Sequence, residues 1–152
     1  MSTVTFRGQL PMDTQQKLKL STNKGLVGYR IKQFSIISST PGAGNHEYIA
    51  KIRLTEDDDV GPTVNFNDPS LIAVNYLTDN SSSAGNPPGD VIIFEDEIFN
   101  QDIFIAISDA TTNTIPCNYF IKLEKIKLDL NASTITTLKN LRQTQADNID
   151  DL

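Results

Sequence analysis

Two side chains in this sequence have the chemistry of a nucleophile or proton carrier near neutral pH, and each type occurs once: His46 and Cys117. Nucleophilic catalysis needs more than one such group, because the nucleophile must lie within hydrogen-bond reach of a base that a third group orients. His46 follows the turn-forming run Gly42-Ala43-Gly44-Asn45 and is expected at the solvated surface. Cys117 follows Pro116 and opens a β-rich run, the setting of a small buried hydrophobe with nothing nearby in sequence to lower its pKa. A single histidine excludes a paired-imidazole metal site within one chain, and a single cysteine excludes an intrachain disulfide. There is no Gly-x-Ser-x-Gly elbow or phosphate-binding loop, and Gly42-Ala43-Gly44 lacks the third glycine of a dinucleotide fingerprint. The expectation is a protein that is not an enzyme and carries no cofactor or resident metal.

Carboxylates are the other chemically capable groups. Glu56-Asp57-Asp58-Asp59 with Asp68, and Asp90 with Glu95-Asp96-Glu97, could supply oxygens to calcium, but neither has the alternating ligand spacing around a glycine of an EF-hand. Solvated charged turns are the expectation for both. A carbohydrate platform would show exposed aromatic rings; the chain has no Trp, and its Tyr and Phe fall mostly inside strand patterns. Charge is also unevenly distributed along the chain. Residues 1–35 hold six basic side chains against one acidic, a net of +5, while residues 36–120 hold two basic and thirteen acidic, a net of −11. Fields of opposite sign on one chain favour docking of copies or of an acidic partner. An overall pI near 4.6 argues against nucleic acid as that partner. No apolar run approaches a membrane span, and no secretory signal pattern opens the sequence, so a soluble product made in the cytoplasm is expected.

The elements that must position these groups read as strands. Tyr48, Ala50, Ile52 and Leu54 alternate with Glu47, Lys51, Arg53 and Thr55, with Ile49 as the exception, and Leu18 and Leu20 repeat the pattern briefly. Further β-rich runs cover 4–10, 26–37, 71–77, 91–94, 103–107 and 119–130, separated by Gly-, Pro-, Asn- and Asp-rich turns, the longest at 79–89. About eight strands without intervening helices predict an all-β fold, an antiparallel two-sheet β-sandwich or jelly roll. The apolar phase switches between Leu123 and Ile126, which predicts a β-bulge at Glu124-Lys125, and a similar switch separates Ile31 from Phe34. Only the C-terminal region reads as helix: Asn131 is the expected cap, Ile135, Leu138 and Leu141 form a narrow apolar stripe, and Lys139 and Arg142 lie near the end. The organisation is then one domain over residues 1–142, with 1–24 as a partner-binding arm or strand, and a polar acidic tail over 143–152.

Several segments together resemble a group of small virion-associated proteins of marine tailed bacteriophages: Gly25 to Ile31, Val91 to Phe94, Glu97 to Phe104, Cys117 to Glu124, and Leu128-Asp129-Leu130-Asn131 through Leu138-Lys139-Asn140-Leu141-Arg142. The resemblance implies a virion location after assembly in the host cytoplasm and brings no catalytic residues. It implies a capsid decoration or cement protein, in contact with the major capsid protein or other virion proteins and assembled as a homo-oligomer. A tail component (adaptor, nozzle or fibre-associated protein) and a carbohydrate- or calcium-binding module at the host surface are the alternatives. From the charge pattern, the partner-binding residues are expected among Lys17, Lys19 and Lys24, with Phe6 as the apolar contribution of the arm.

Overall fold

The computed structural model describes residues 2–80, 90–111 and 114–150, with backbone alone at residue 80 and at 142–150. Most of the turn-rich stretch at 79–89 lies outside the described residues. Eight strands precede one helix: β1 (Thr3–Leu10), β2 (Thr14–Leu18), β3 (Val27–Ser38), β4 (Asn45–Arg53), β5 (Leu71–Asn80), β6 (Asp90–Ile93), β7 (Ile103–Asp109), β8 (Cys117–Lys127) and α1 (Leu130–Asp150). The strands form two antiparallel sheets, β1-β8-β3 and β2-β7-β4-β5-β6. The fold is therefore a mainly-β, two-sheet sandwich with a C-terminal helix. The order 1-8-3 over 2-7-4-5 follows jelly-roll winding. In that pattern β6 would lie beside β3; here it pairs with β5, and β3 instead meets Phe99 through reciprocal bonds with Tyr29 of 2.8 and 3.0 Å.

Alternation builds the core. Tyr48, Ala50 and Ile52 of β4 and Ile103, Ile105 and Ile107 of β7 face Phe34, Ile36, Ile121 and Leu123 of the other sheet, all within one buried cluster. Burying each of the larger aliphatic side chains contributes roughly 1.5–3 kcal/mol, so these inward faces dominate stability. The opposite face of β4 is not open to solvent either. The segment between β4 and β5 folds over it: Lys51 Nζ donates to the Thr63 carbonyl at 2.9 Å, and the Arg53 guanidinium grips Asp68 at 2.9 Å. This cover explains why Ile49 and Lys51, on the expected polar side, are both buried.

One of the two phase switches is a bulge and the other is not. Between Ile31 and Gln33 the β3–β8 register shifts, so Lys32 is the extra residue; Lys32 and Gln33 are both exposed, and the inward parity changes from Ile31 to Phe34. In β8 the expected bulge at Glu124-Lys125 is absent: the strand pairs without interruption from Cys117 to Lys127, with Leu123 buried inside and Ile126 half-buried on the other face. The reason is β8's central place. An inserted residue there would break the ladders to β1 and β3 together, whereas β3 is an outer strand with one partner to accommodate. Past Leu123, Ile126 turns to the other face of β8, and Ile98 and Leu128 lie over Gly28 close enough to meet any added Cβ at 3.1 Å.

The helix also departs from expectation in two ways. Its cap is Asp129 rather than Asn131: the Asp129 carboxylate accepts from the Ala132 amide at 2.7 Å, and its charge suits the helix N-terminus better than an amide. It also continues through residue 150, over most of the segment expected to be a tail.

Candidate functional site

Of the segment expected to be a partner-binding arm or strand, residues 2–24 are built into the sandwich, chiefly as β1 and β2. β1 is an outer strand of one sheet and β2 an outer strand of the other, and the two run past each other along one side of the domain. Strand alternation sends Leu18 and Leu20 into the core and leaves Lys17 and Lys19 exposed on one face, roughly 7 Å apart along the strand. Lys17 reaches Asp102 at 3.4 Å, and that carboxylate also accepts from the amides of Leu20 and Ser21, fixing the end of β2. Lys19 and Lys24 are exposed and have no ion-pair partner among the described residues. Phe6 is half-buried against the domain's own core, because β1 turns its even-numbered residues inward. The structure thus gathers Lys17 and Lys19, places Lys24 in the loop beneath α1, and directs Phe6 away from all three.

The charge asymmetry of the sequence is partly neutralised at home. Arg30 and Lys32 both reach Glu124, at 3.1 and 3.7 Å, and the Arg30 hydrogen bond holds that carboxyl below its ordinary value. The acidic runs are likewise engaged by side chains of the same fold. Asp68 binds Arg53, Asp57 lies 3.7 Å from Lys51, and Glu97 binds Lys139 at 2.7 Å. Among the described residues no group of three or more His, Cys, Asp or Glu side chains is placed to hold a metal ion.

His46 is not at the surface. It is fully buried, stacked on Tyr48 at 5.0 Å between ring centroids, with Nδ1 donating to Asp109 at 2.8 Å. β4 and β7 bring the pair together because Tyr48 and Asp109 are register partners, and both rings and the carboxylate fall on the inward face at one end of the sandwich. The turn residues before His46 suggested exposure, but the β4 ladder already begins at Asn45. Asp109 also accepts from the Thr111 amide and hydroxyl and from the Glu47 amide. Burial alone would push its carboxyl up; these donors outweigh burial and bring it below the ordinary carboxylate range. An Asp–His pair can activate a hydroxyl only through the far nitrogen, and His46 Nε2 has no partner among the described residues. Ser108, the nearest hydroxyl in β7, is on the opposite face of the sheet from Asp109. Cys117 is buried, as its sequence setting indicated, and desolvation pushes its thiol up to about 12. The His46–Asp109 pair is buried at one end of the core.

The surface feature that sequence reasoning did not anticipate is the orientation of α1. Its docked side is polar: Ser133, Thr137 and Asn140, at i, i+4 and i+7, meet the loops before β3 and β7. The buried Asn100 amide donates to Thr137 Oγ1 at 2.7 Å and to the Gly25 carbonyl at 3.1 Å; Ser133 Oγ donates to the same carbonyl at 2.7 Å. Gly25 is required there, since its φ of 63° is left-handed and an added Cβ would lie 3.1 Å from Asn100 Nδ2. The apolar stripe consequently faces solvent, with Leu130, Ile135, Leu138 and Leu141 exposed by 76, 67, 46 and 52 %. The only sequence signal for this was the small polar i, i+4, i+7 set itself.

No protein-family model matches this chain, and no curated protein matches it. Among the described residues no helix is long and apolar enough to cross a membrane.

Proposed function

We propose that this chain is a structural component of a tailed-phage virion, a decoration or cement protein that binds the assembled head and reinforces joints between copies of the major capsid protein. The resemblance of five segments to small phage virion proteins motivates the reading. The structural observation that carries it is the pair β1 and β2, free outer strands of two different sheets on one side of the domain, with Lys19 and Lys24 exposed and unpaired among the described residues. An open strand edge offers backbone groups to a neighbour, and the unpaired Lys19 ammonium at the end of β2 adds attraction toward an acidic surface, with Lys24 farther along the chain beneath α1. Asp57, Asp68, Glu97, Asp109 and His46, by contrast, are engaged within the domain itself.

Attachment of the Lys17, Lys19 and Lys24 triple alanine variant to purified heads, measured across a salt series, tests the reading. Exposed charges contribute little to folding, so the variant should keep its β-sheet signal while binding more weakly than wild type, and wild-type binding should itself fall as salt rises. Attachment at wild-type strength by the variant, insensitive to salt, would refute the electrostatic contact. Phe6 is a poor substitute probe, because a polar residue there would disturb the core.

A further inference from the structure

From the exposed face of α1 we infer that this chain forms a two-fold dimer in which the helices of two copies pack antiparallel through Leu130, Ile135, Leu138 and Leu141. The inference stands apart from the virion reading and needs no phage partner. At about 100° per residue, these four side chains span roughly 140° of the helix circumference, from Leu130 and Leu141 beside Thr137 round to Leu138 and Ile135 on the face away from Ser133 and Asn140. Rolling the helix to bury them would be costly, since rotation would take away the Ser133 donor to the Gly25 carbonyl, the Thr137 acceptor of the buried Asn100 side-chain amide and the Asn140 acceptor of the Asn100 backbone amide. The chain's continuation does not fold back over the stripe either, because it remains helical through Asp150.

The occupant that fits is a second copy. A two-fold interface must be self-complementary. With the axis crossing α1 near residues 135–137, Leu130 lies level with Leu141 of the second copy and Ile135 level with its Leu138, so each apolar side chain finds an apolar neighbour. The described part of the stripe opposes no like charges, because the one charged residue from 130 to 141 is Lys139, already bound to Glu97. The size is also adequate. Four side chains exposing roughly 100 Å² each give about 800 Å² from the two stripes, and flanking Thr134 and the stem of Lys139 bring the total to about 1,000 Å², the lower bound for specific association. An interface of that size gives a concentration-dependent dimer rather than a permanent one.

Sedimentation velocity of the full chain from about 1 µM to about 1 mM should show monomer converting to dimer, and Leu138→Glu should raise the dissociation constant more than about tenfold. The substitution is at a half-exposed position, and an unchanged circular dichroism spectrum confirms that the fold is intact. Direction is read by cysteine pairing, which the buried Cys117 does not confuse. In the antiparallel dimer position 141 lies roughly 16 Å along the axis from its own copy, beyond disulfide reach, so Leu130→Cys and Leu141→Cys should cross-link when mixed and neither alone. Self-linking of either variant, or a dimer indifferent to Leu138→Glu, overturns the proposal. So does a wild-type chain that remains monomeric throughout, including one that binds heads in a manner Leu138→Glu abolishes, an outcome that would assign the stripe to a heterologous partner.

Discussion

Replacing Asn100 with alanine removes the donor that fastens α1 to the sandwich. The side chain is fully buried, and its Nδ2 makes one short bond to Thr137 Oγ1, one good bond to the Gly25 carbonyl, and a long approach of 3.5 Å to the Ser133 carbonyl. At about 1 kcal/mol for each good bond, with an addition for the space left behind, the cost is about 2–3 kcal/mol. Gly25 distinguishes this account from a generic loss of packing. Its carbonyl accepts from both Asn100 and Ser133, so Asn100→Ala and Ser133→Ala each leave it one donor, and the double variant leaves it none. The double variant should therefore lose at least about 0.5 kcal/mol more than the sum of the singles, because a buried carbonyl without any donor carries a desolvation cost neither single variant incurs. Urea unfolding gives the energies, and hydrogen exchange gives the place: amides at 130–141 should exchange faster while those of β8 hardly change. Strict additivity, together with unchanged exchange in α1, would refute the idea that this polar cluster orients the helix.

Three further outcomes follow from the same contacts. Gly25→Ala should destabilise the domain by about 1–2 kcal/mol from the left-handed backbone alone, with a further loss from crowding Asn100 and Ser133, read by thermal unfolding. Asp109→Ala should cost about 3–5 kcal/mol by leaving the His46, Thr111 and Glu47 donors unanswered; in wild type the contribution of Asp109, whose native pKa is depressed, is present above the unfolded value of about 4 and disappears as pH falls through the native one, so Asp109→Asn should flatten the acid limb of the stability profile. Cys117 should resist thiol reagents in the native protein and react only at the rate of opening, so fast stoichiometric labelling without unfolding would contradict its burial.

Period-two alternation made most of this fold legible. The alternation from Tyr48 to Arg53, the run ending at Leu18 and the later β-rich runs fall on strands, because a half-buried strand writes its orientation into every second residue, while Leu20 and Leu54 are buried just beyond their strands and the run expected over 119–130 gives way to α1 at Leu130. Where alternation failed, tertiary context had intervened. Lys51 is buried because the segment after β4 covers its face, and across the phase switch β8 runs unbroken, with Leu123 in the core and Ile126 half-buried on the other face. His46 was misplaced because local turn chemistry says nothing about Asp109, 63 residues on. The helix was legible, but its orientation was not: an apolar stripe ordinarily marks the buried face, and here Asn100, Ser133 and Thr137 form the inner contact. Of the expected contact residues, Lys17 and Lys19 share a face, Lys24 joins the loop beneath α1, and Phe6 belongs to the core.

The claim that this chain is a head-binding virion protein is tested most directly by its copy number in purified phage particles, measured by quantitative mass spectrometry against the major capsid protein. Decoration of a symmetric shell predicts a fixed ratio to the major capsid protein that follows the shell's repeating units. A copy number matching a single tail ring or fibre set would contradict a head location, and absence of the chain from purified particles would contradict the virion reading altogether.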